Sequence, residues 1–110
     1  MLLYTVKKLE NIRIDYNLSK LSKDSLSSCP ISQFKLWLNE AINEIEDPTA
    51  MVLSTYDKKN GVQSRVVLLK EIQQNAFIFY TSYISLKAQQ IDLNSNVNLC
   101  FFWPKFQRQV

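Results

Sequence analysis

AMVLSTYDKKNGVQSRVVLLK, residues 50–70, is the stretch that decides the fold. Two β-rich runs, Ala50–Tyr56 and Val62–Lys70, flank a polar DKKNG segment, and Asn60-Gly61 between such runs is a strong hairpin signal. Further along, AFIFYT (76–81) and VNLCFFW (97–103) are apolar on both faces. In the second, Val97, Leu99, Phe101 and Trp103 alternate with Cys100 and Phe102. Strands of this kind need cover on both sides. In a chain of 110 residues, that points to a closed barrel or to a sheet capped by a partner subunit.

Working outward, Pro30 opens a segment with apolar residues at Ile31, Phe34, Trp37, Leu38, Ala41, Ile42 and Ile45, a helical period with one buried stripe, and Pro48 stops it. The acidic residues Glu40, Glu44, Glu46 and Asp47 read as its solvated side. Ser85–Leu93 reads as a short helix with Ile84, Ala88 and Ile91 inward and Ser82 or Ser85 as its N-cap. Residues 1–28 are polar and irregular, an arm with a helical turn near Leu9–Tyr16 that could move independently of residues 29–110. The expected class is α+β: mainly antiparallel strands, an N-terminal amphipathic helix and a short helix between strands.

Composition narrows the chemistry. At 46% hydrophobic and 12% aromatic, the chain has enough apolar content for one core. A net charge of +3 is a weak field for nucleic acid, so a sheet that binds single strands through basic and aromatic residues is a minor alternative. No histidine is present, which removes the commonest general base and most zinc sites. Cys29 and Cys100 match no metal spacing and read as ordinary thiols. The one glycine, Gly61, excludes the glycine-rich phosphate loops. No apolar run reaches the ~18 to 20 residues of a membrane span, and the first residues lack the order of a signal peptide. The expectation is a cytoplasmic protein, with no metal, no membrane and no nucleic acid, whose chemistry is borrowed from a cofactor.

The charge that remains is unevenly spread. Residues 58–110 hold seven basic residues and two acidic ones. Lys58 and Lys59 belong to the hairpin tip, but Arg65 interrupts an apolar strand and Lys70 ends it. Lys87 falls in the first turn of the short helix beside the hydroxyls of Thr81, Ser82 and Ser85, where backbone N–H groups favour an anion. This is a phosphate cradle built without glycine; the alternative is that Arg65, Lys70 and Lys87 snorkel from strand and helix edges. Arg65 and Lys70, five apart, point to opposite faces of a regular strand. Tyr80, Phe102 and Trp103 could stack on a planar ring or belong to the core.

Taken together and in order, PTAMVLSTYDKKNGVQSRVVLLK, FIFYTSYISLKAQQI and FFWPKFQRQV, with QFKLWLNEA before them, closely resemble the amino-terminal half of the pyridoxamine/pyridoxine 5'-phosphate oxidase family. The resemblance runs from about Arg13 to Val110. It implies an FMN-binding split β-barrel, incomplete in this chain, that forms a homodimer with FMN in clefts between subunits. It also implies the reaction: oxidation of the 4' carbon of pyridoxamine or pyridoxine 5'-phosphate, with a hydride passing to flavin and electrons to O₂. The flavin then carries the hard chemistry, so no protein residue is assigned as catalytic.

By position, the resemblance assigns FMN contacts to Arg65, Val66, Val67, Leu68, Leu69 and Lys70, with Arg65 at the flavin phosphate and Lys70 near both flavin and substrate phosphate. Tyr80, Thr81, Lys87 and Gln109 match further FMN contacts. Arg13, Ile14, Asp15 and Tyr16 match a segment that folds over substrate. Two departures stand out. Leu86 takes the place of an Arg that the family usually carries before the Lys, and the groups that the family's second half supplies have no counterpart here. Both leave room for a non-catalytic flavin- or phosphate-binding protein.

Overall fold

The computed structural model describes residues 9–110. Residues 1–8, the first part of the arm read from sequence, lie outside the described residues. The arm carries two short 3₁₀ turns, Leu9–Asn11 and Lys23–Ser25, so the turn expected near Leu9–Tyr16 is confined to its first three residues.

Helix α1 runs from Pro30 to Glu44, with Pro30 in the first turn, where a missing N–H costs nothing. Phe34 and Ala41 are buried, and Trp37, Leu38 and Ile45 pack half-buried against the same core. Ile42, expected in the stripe, is instead 54% exposed. The stripe is narrower than the sequence pattern because α1 rests on one open sheet and is touched from one side.

Strands β1 (Ala50–Asp57) and β2 (Gly61–Leu68) form the expected antiparallel hairpin, Met51 opposite Val67 and Leu53 opposite Arg65. Its turn differs from the two-residue Asn-Gly form. Asp57 pairs with Gly61 across a three-residue loop, and Gly61 alone of this loop has positive φ, at +70°. A Cβ there would meet nothing within 4 Å, so glycine serves the backbone conformation and not a tight fit. Asp57 Oδ1 accepts from the backbone N–H groups of Lys59 and Asn60, both at 2.8 Å, and so closes the loop.

Beyond β2, Leu69 N–H donates to Thr49 at 2.9 Å and Lys70 N–H to Ile78 at 2.8 Å, which leads the chain into a small hairpin of β3 (Glu71–Gln73) and β4 (Ala76–Ile78). Its turn residues Gln74 and Asn75 both have positive φ, the twist-matched form for two-residue loops. AFIFYT is therefore a three-residue strand and a loop. Helix α2 (Leu86–Leu93) follows, capped by Ser85, whose hydroxyl accepts from Ala88 N–H. Ala88 is buried and Ile91 half-buried as expected, whereas Ile84 is 85% exposed, because it precedes the cap and lies off the helix.

Strand β5 (Asn98–Cys100) pairs with β1, and β6 (Phe102–Trp103) pairs with β7 (Arg108–Gln109) after a short 3₁₀ turn, Pro104–Phe106. Phe101, between β5 and β6, exchanges two backbone hydrogen bonds with Val110. The sheet order is β2-β1-β5, with two-stranded β3-β4 and β6-β7 beside it. None of these sheets closes.

One face of this open sheet holds the core. Met51, Leu53, Val67, Leu69, Phe101 and Trp103 point at α1, and Phe34 sits among Phe77, Phe101 and Trp103 with ring centroids 4.8, 4.9 and 5.9 Å away. The Trp103 indole N–H donates to Pro48 at 3.0 Å and so stays paired while buried. The opposite face, with Val52, Tyr56, Val62, Val66, Leu68 and Phe102, is exposed. The expectation of cover on both sides is thus met on one side only within this chain.

Candidate functional site

Arg65 is the first residue to place. It stands on the inward face of β2, opposite Leu53, where alternation demands an apolar side chain. Its guanidinium turns toward α2: Nη1 donates to Thr55 Oγ1 at 2.7 Å and to the carbonyls of Leu53 and Gln63 at 3.3 Å, and Nη2 donates to Gln90 Oε1 at 3.3 Å. Gln90 is fully buried, and its Nε2 donates to the Gly61 carbonyl at 3.2 Å. The Thr55 hydroxyl also donates to Gln90 Oε1.

Lys87 lies on α2 three residues before Gln90, within one helical turn of the oxygen that holds Arg65. Around the same helix start, Thr81 Oγ1 is 3.3 Å from Ser85 Oγ, and the Ser85 hydroxyl donates to the Ser82 carbonyl at 2.7 Å. Hydroxyls, helix N–H groups and Lys87 thus gather at the start of α2, as the cradle read from sequence requires, and Arg65 meets the same helix about one turn further on, at Gln90. Leu86, 40% exposed, occupies the first helical position of α2.

The other expected contacts divide between faces. Val66 and Leu68 lie on the exposed sheet face, and Gln109, paired with Phe102, lies on that face too. Val67 and Leu69 are buried in the core; they support the strand and offer a ligand only backbone. Lys70 and Tyr80 are exposed, and Lys70 points away from Arg65 as the spacing requires. Phe102 is 49% exposed and open to stacking, whereas Trp103 belongs to the core.

The arm is tied to the turn before β7 through a residue that sequence did not single out. Gln107, left-handed at φ 51°, accepts on Oε1 from the backbone N–H groups of Asn17 and Leu18, both at 3.0 Å. Arg13, Ile14, Asp15 and Tyr16 are exposed; Arg13 pairs with Asp15 at 3.4 Å. They are held next to Gln107, two residues from Gln109, and make no hydrogen bond to the strand residues described above.

Acidic residues of α1 are less idle than their pattern suggests. Glu40 binds Arg108 at 2.9 Å and Glu44 binds Lys105 at 2.6 Å, which pins the segment before β7 to the helix. The Lys105 ammonium holds the Glu44 carboxyl below its ordinary value, chiefly through that hydrogen bond. The Arg108 guanidinium also lies 4.4 Å from the Trp37 ring centroid. Among the described residues, no group of His, Cys, Asp or Glu could hold a metal, Cys29 and Cys100 are free thiols, and no helix is long and apolar enough to cross a membrane.

Thr55, Gln90 and Gln107 were not read from sequence. A polar residue in phase with Met51 and Leu53 was the available signal for Thr55; glutamine in a helix or turn carries no comparable mark.

An open antiparallel sheet with α1 on one face and a short capped helix at its end is the architecture of the FMN-binding split-barrel proteins. Among solved structures, PhzG from Burkholderia lata 383, determined with tetrahydrophenazine-1-carboxylic acid, superposes with a TM-score of 0.72 at 26% identity, over 78% of this chain and 43% of that one. A pyridoxamine 5'-phosphate oxidase-related, FMN-binding protein from Nostoc punctiforme PCC 73102 shares the fold, with a TM-score of 0.65 at 18% identity over 76% of this chain and 44% of that one. The pyridoxamine 5'-phosphate oxidase family model matches residues 38–110, and the chain belongs to that family. It is 52% identical over 105 residues to the pyridoxine/pyridoxamine 5'-phosphate oxidase of Legionella pneumophila (strain Lens), covering 94% of this chain and 49% of that protein. To the enzyme of the same name from Haemophilus influenzae (strain 86-028NP) it is 44% identical over 104 residues, 94% of this chain and 50% of that one. The chain spans about half the length of the curated relatives it matches.

Proposed function

We propose that this chain binds FMN and forms the amino-terminal half of an oxidase that converts pyridoxamine or pyridoxine 5'-phosphate to pyridoxal 5'-phosphate. The observation that carries the reading is the bond from Arg65 to Gln90 of α2, the helix whose first turn carries Lys87 and whose capped start lies beside the hydroxyls of Thr81 and Ser85. That donor set, two cations with hydroxyls and helix N–H groups, suits the phosphate of FMN. The exposed apolar face with Val66, Leu68 and Phe102 suits a planar ring system, and Gln109 supplies a polar side chain on that face. The residues present therefore fit the group chemically at both ends, with Arg65 on the inward face of β2 and Val66 and Leu68 on its exposed face.

Bound FMN would supply the hydride acceptor for the substrate's 4' carbon and the route for two electrons to O₂, giving peroxide. The chain's own residues then bind and orient. Arg65 and Lys87 hold the cofactor phosphate, Lys70, two residues beyond β2, faces the substrate phosphate, and the Arg13–Tyr16 segment covers the substrate from the arm. We read residues 1–28 as that arm and residues 29–110 as the partial barrel. The open sheet face supports a homodimer in which the partner and the remaining barrel strands complete the cleft, and a cytoplasmic location is part of the same proposal.

A second reading, flavin or phosphate binding without turnover, is favoured by one residue. Leu86 offers no charge where the family resemblance implies an Arg. An FMN titration followed by flavin fluorescence, with peroxide measured on addition of pyridoxamine 5'-phosphate, separates the two. Binding with peroxide supports the oxidase, binding without it supports the second reading, and no binding at saturating FMN overturns the oxidase and the flavin form of the second reading, leaving phosphate binding alone.

A further inference from the structure

Arg65 has an unusual set of partners. All four of its hydrogen bonds go to neutral oxygens: two carbonyls, the Thr55 hydroxyl and the Gln90 amide. Among the described residues, no carboxylate lies within 4.0 Å of it, although other arginines and lysines of the chain form ion pairs. A half-buried guanidinium without a carboxylate retains its full charge for an incoming anion, and that charge is costly to hold unless its N–H groups are satisfied.

Gln90 and Thr55 satisfy it. The Gln90 amide is fully buried and directional: Oε1 faces Thr55 and Arg65, while Nε2 faces the Gly61 carbonyl at the hairpin turn. The same turn is closed by Asp57, whose carboxylate accepts from the backbone N–H groups of Lys59 and Asn60. The amide thus gives Arg65 a neutral acceptor and directs its own donor to the turn carbonyl. Thr55, 2% exposed, fixes the geometry by accepting from Arg65 and donating to Gln90.

We infer that Gln90 and Thr55 are positioning residues that hold the Arg65 guanidinium aimed along α2 and unneutralised, so that its charge is available to a phosphate. The inference deepens the FMN reading and rests on Arg65 contacting the cofactor phosphate. It assigns to Gln90 a role in selecting a phosphorylated ligand over an uncharged one, without touching that ligand.

The test uses inorganic phosphate as one probe and the pair FMN and riboflavin as the other. Phosphate, added at constant ionic strength against chloride, should raise the melting temperature of the unsubstituted chain and leave that of Gln90→Glu unmoved. The same substitution should reduce the preference for FMN over riboflavin by roughly tenfold or more, with riboflavin affinity unchanged, because a charge-assisted contact is lost. Thr55→Val should reduce the preference in the same direction, and Thr55→Ser should restore it.

A purely structural role for Gln90 predicts lower stability with the FMN-to-riboflavin ratio intact, and that result overturns the inference. So does equal stabilisation of both chains by phosphate, or none of either. Phosphate stabilisation without FMN binding removes the FMN reading alone and leaves the positioning role standing. Should Gln90→Glu fail to fold, the Thr55→Val and Thr55→Ser pair decides on the same ratio.

Discussion

Phe34 of α1 and Phe101, the residue between β5 and β6, meet with ring centroids 4.9 Å apart, tilted by 54°, and both are almost wholly buried. This contact fastens the helix to the sheet, with Phe77 and Trp103 on either side of the Phe34 ring. Phe34→Ala would remove that ring and leave a cavity that the open sheet closes only in part. The expected loss is about 3 to 5 kcal/mol, read as a lower urea midpoint with an unchanged slope.

Lys87→Ala and Arg65→Ala should each weaken FMN binding more than Lys58→Ala, since Lys58 sits at the exposed hairpin tip beside Leu93 and Asn94, at the opposite end of α2 from Lys87. Leu86→Arg should act in the opposite direction. A cation at the first helical position would add a charge-assisted bond to the phosphate and tighten FMN binding by about 1.5 to 3 kcal/mol. Fluorescence titration of the four variants gives both signs, and equal effects for Lys58 and Lys87 would misplace the phosphate end.

Asp57 ties stability to pH. Its carboxyl is lowered from 3.8 to about 2, first by the backbone N–H of Asn60 and then by the Asn60 side chain, with smaller help from Gln90 and Lys59. A depressed folded-state value means that the unfolded chain binds the proton more readily, so stability rises with pH across this window. The contribution is complete above about pH 4 to 5 and is lost as pH falls through 2. Asp57→Asn should be less stable than the unsubstituted chain at pH 6, and the difference between their unfolding midpoints should shrink on acidification to pH 2.5. A constant difference would count against the carboxylate as the cause.

Gln107→Ala should release the arm without unfolding the sheet. Two backbone N–H groups, those of Asn17 and Leu18, share its Oε1, so their amide protons should exchange faster by about tenfold for each kcal/mol and a half lost. Trypsin should cut sooner after Lys20 and Lys23, while the urea midpoint shifts little.

Val66→Asp tests the exposed sheet face. Val66 is 65% exposed, so the charge should cost the isolated chain little, within about 0.5 kcal/mol. Self-association through that face should fall sharply, because an unpaired carboxylate would be buried in the contact. Sedimentation velocity of both chains over a concentration series reads the change.

Periodic and terminal signals made much of this fold legible. Pro30 and the spacing of Phe34, Trp37, Leu38 and Ala41 marked α1, and Ser85 marked the start of α2, because caps and amphipathic stripes are local. The hairpin was legible too, but not its turn: Asp57, by accepting from Lys59 and Asn60, turns the loop into three residues with Gly61 at its end. The β3-β4 hairpin escaped notice since Gln74-Asn75 is a weak version of the signal that Asn-Gly makes strong. Of the site, the hydroxyls and Lys87 at α2 were read from spacing, and Arg65 from its place in an apolar strand. Its bonds to Thr55 and Gln90 depend on how α2 packs against β1, which no local pattern records.

The two tryptophans of this chain report on different events. Trp103, 1% exposed with its indole N–H on Pro48, should emit in the blue for as long as the core is intact. Trp37, half-buried under the Arg108 guanidinium, sits where α1 meets the turn that carries Gln107. Replacing either one with phenylalanine leaves a single intrinsic fluorophore, so that melting of the interior and lifting of the β7 end become separately visible in one instrument, with no dye attached.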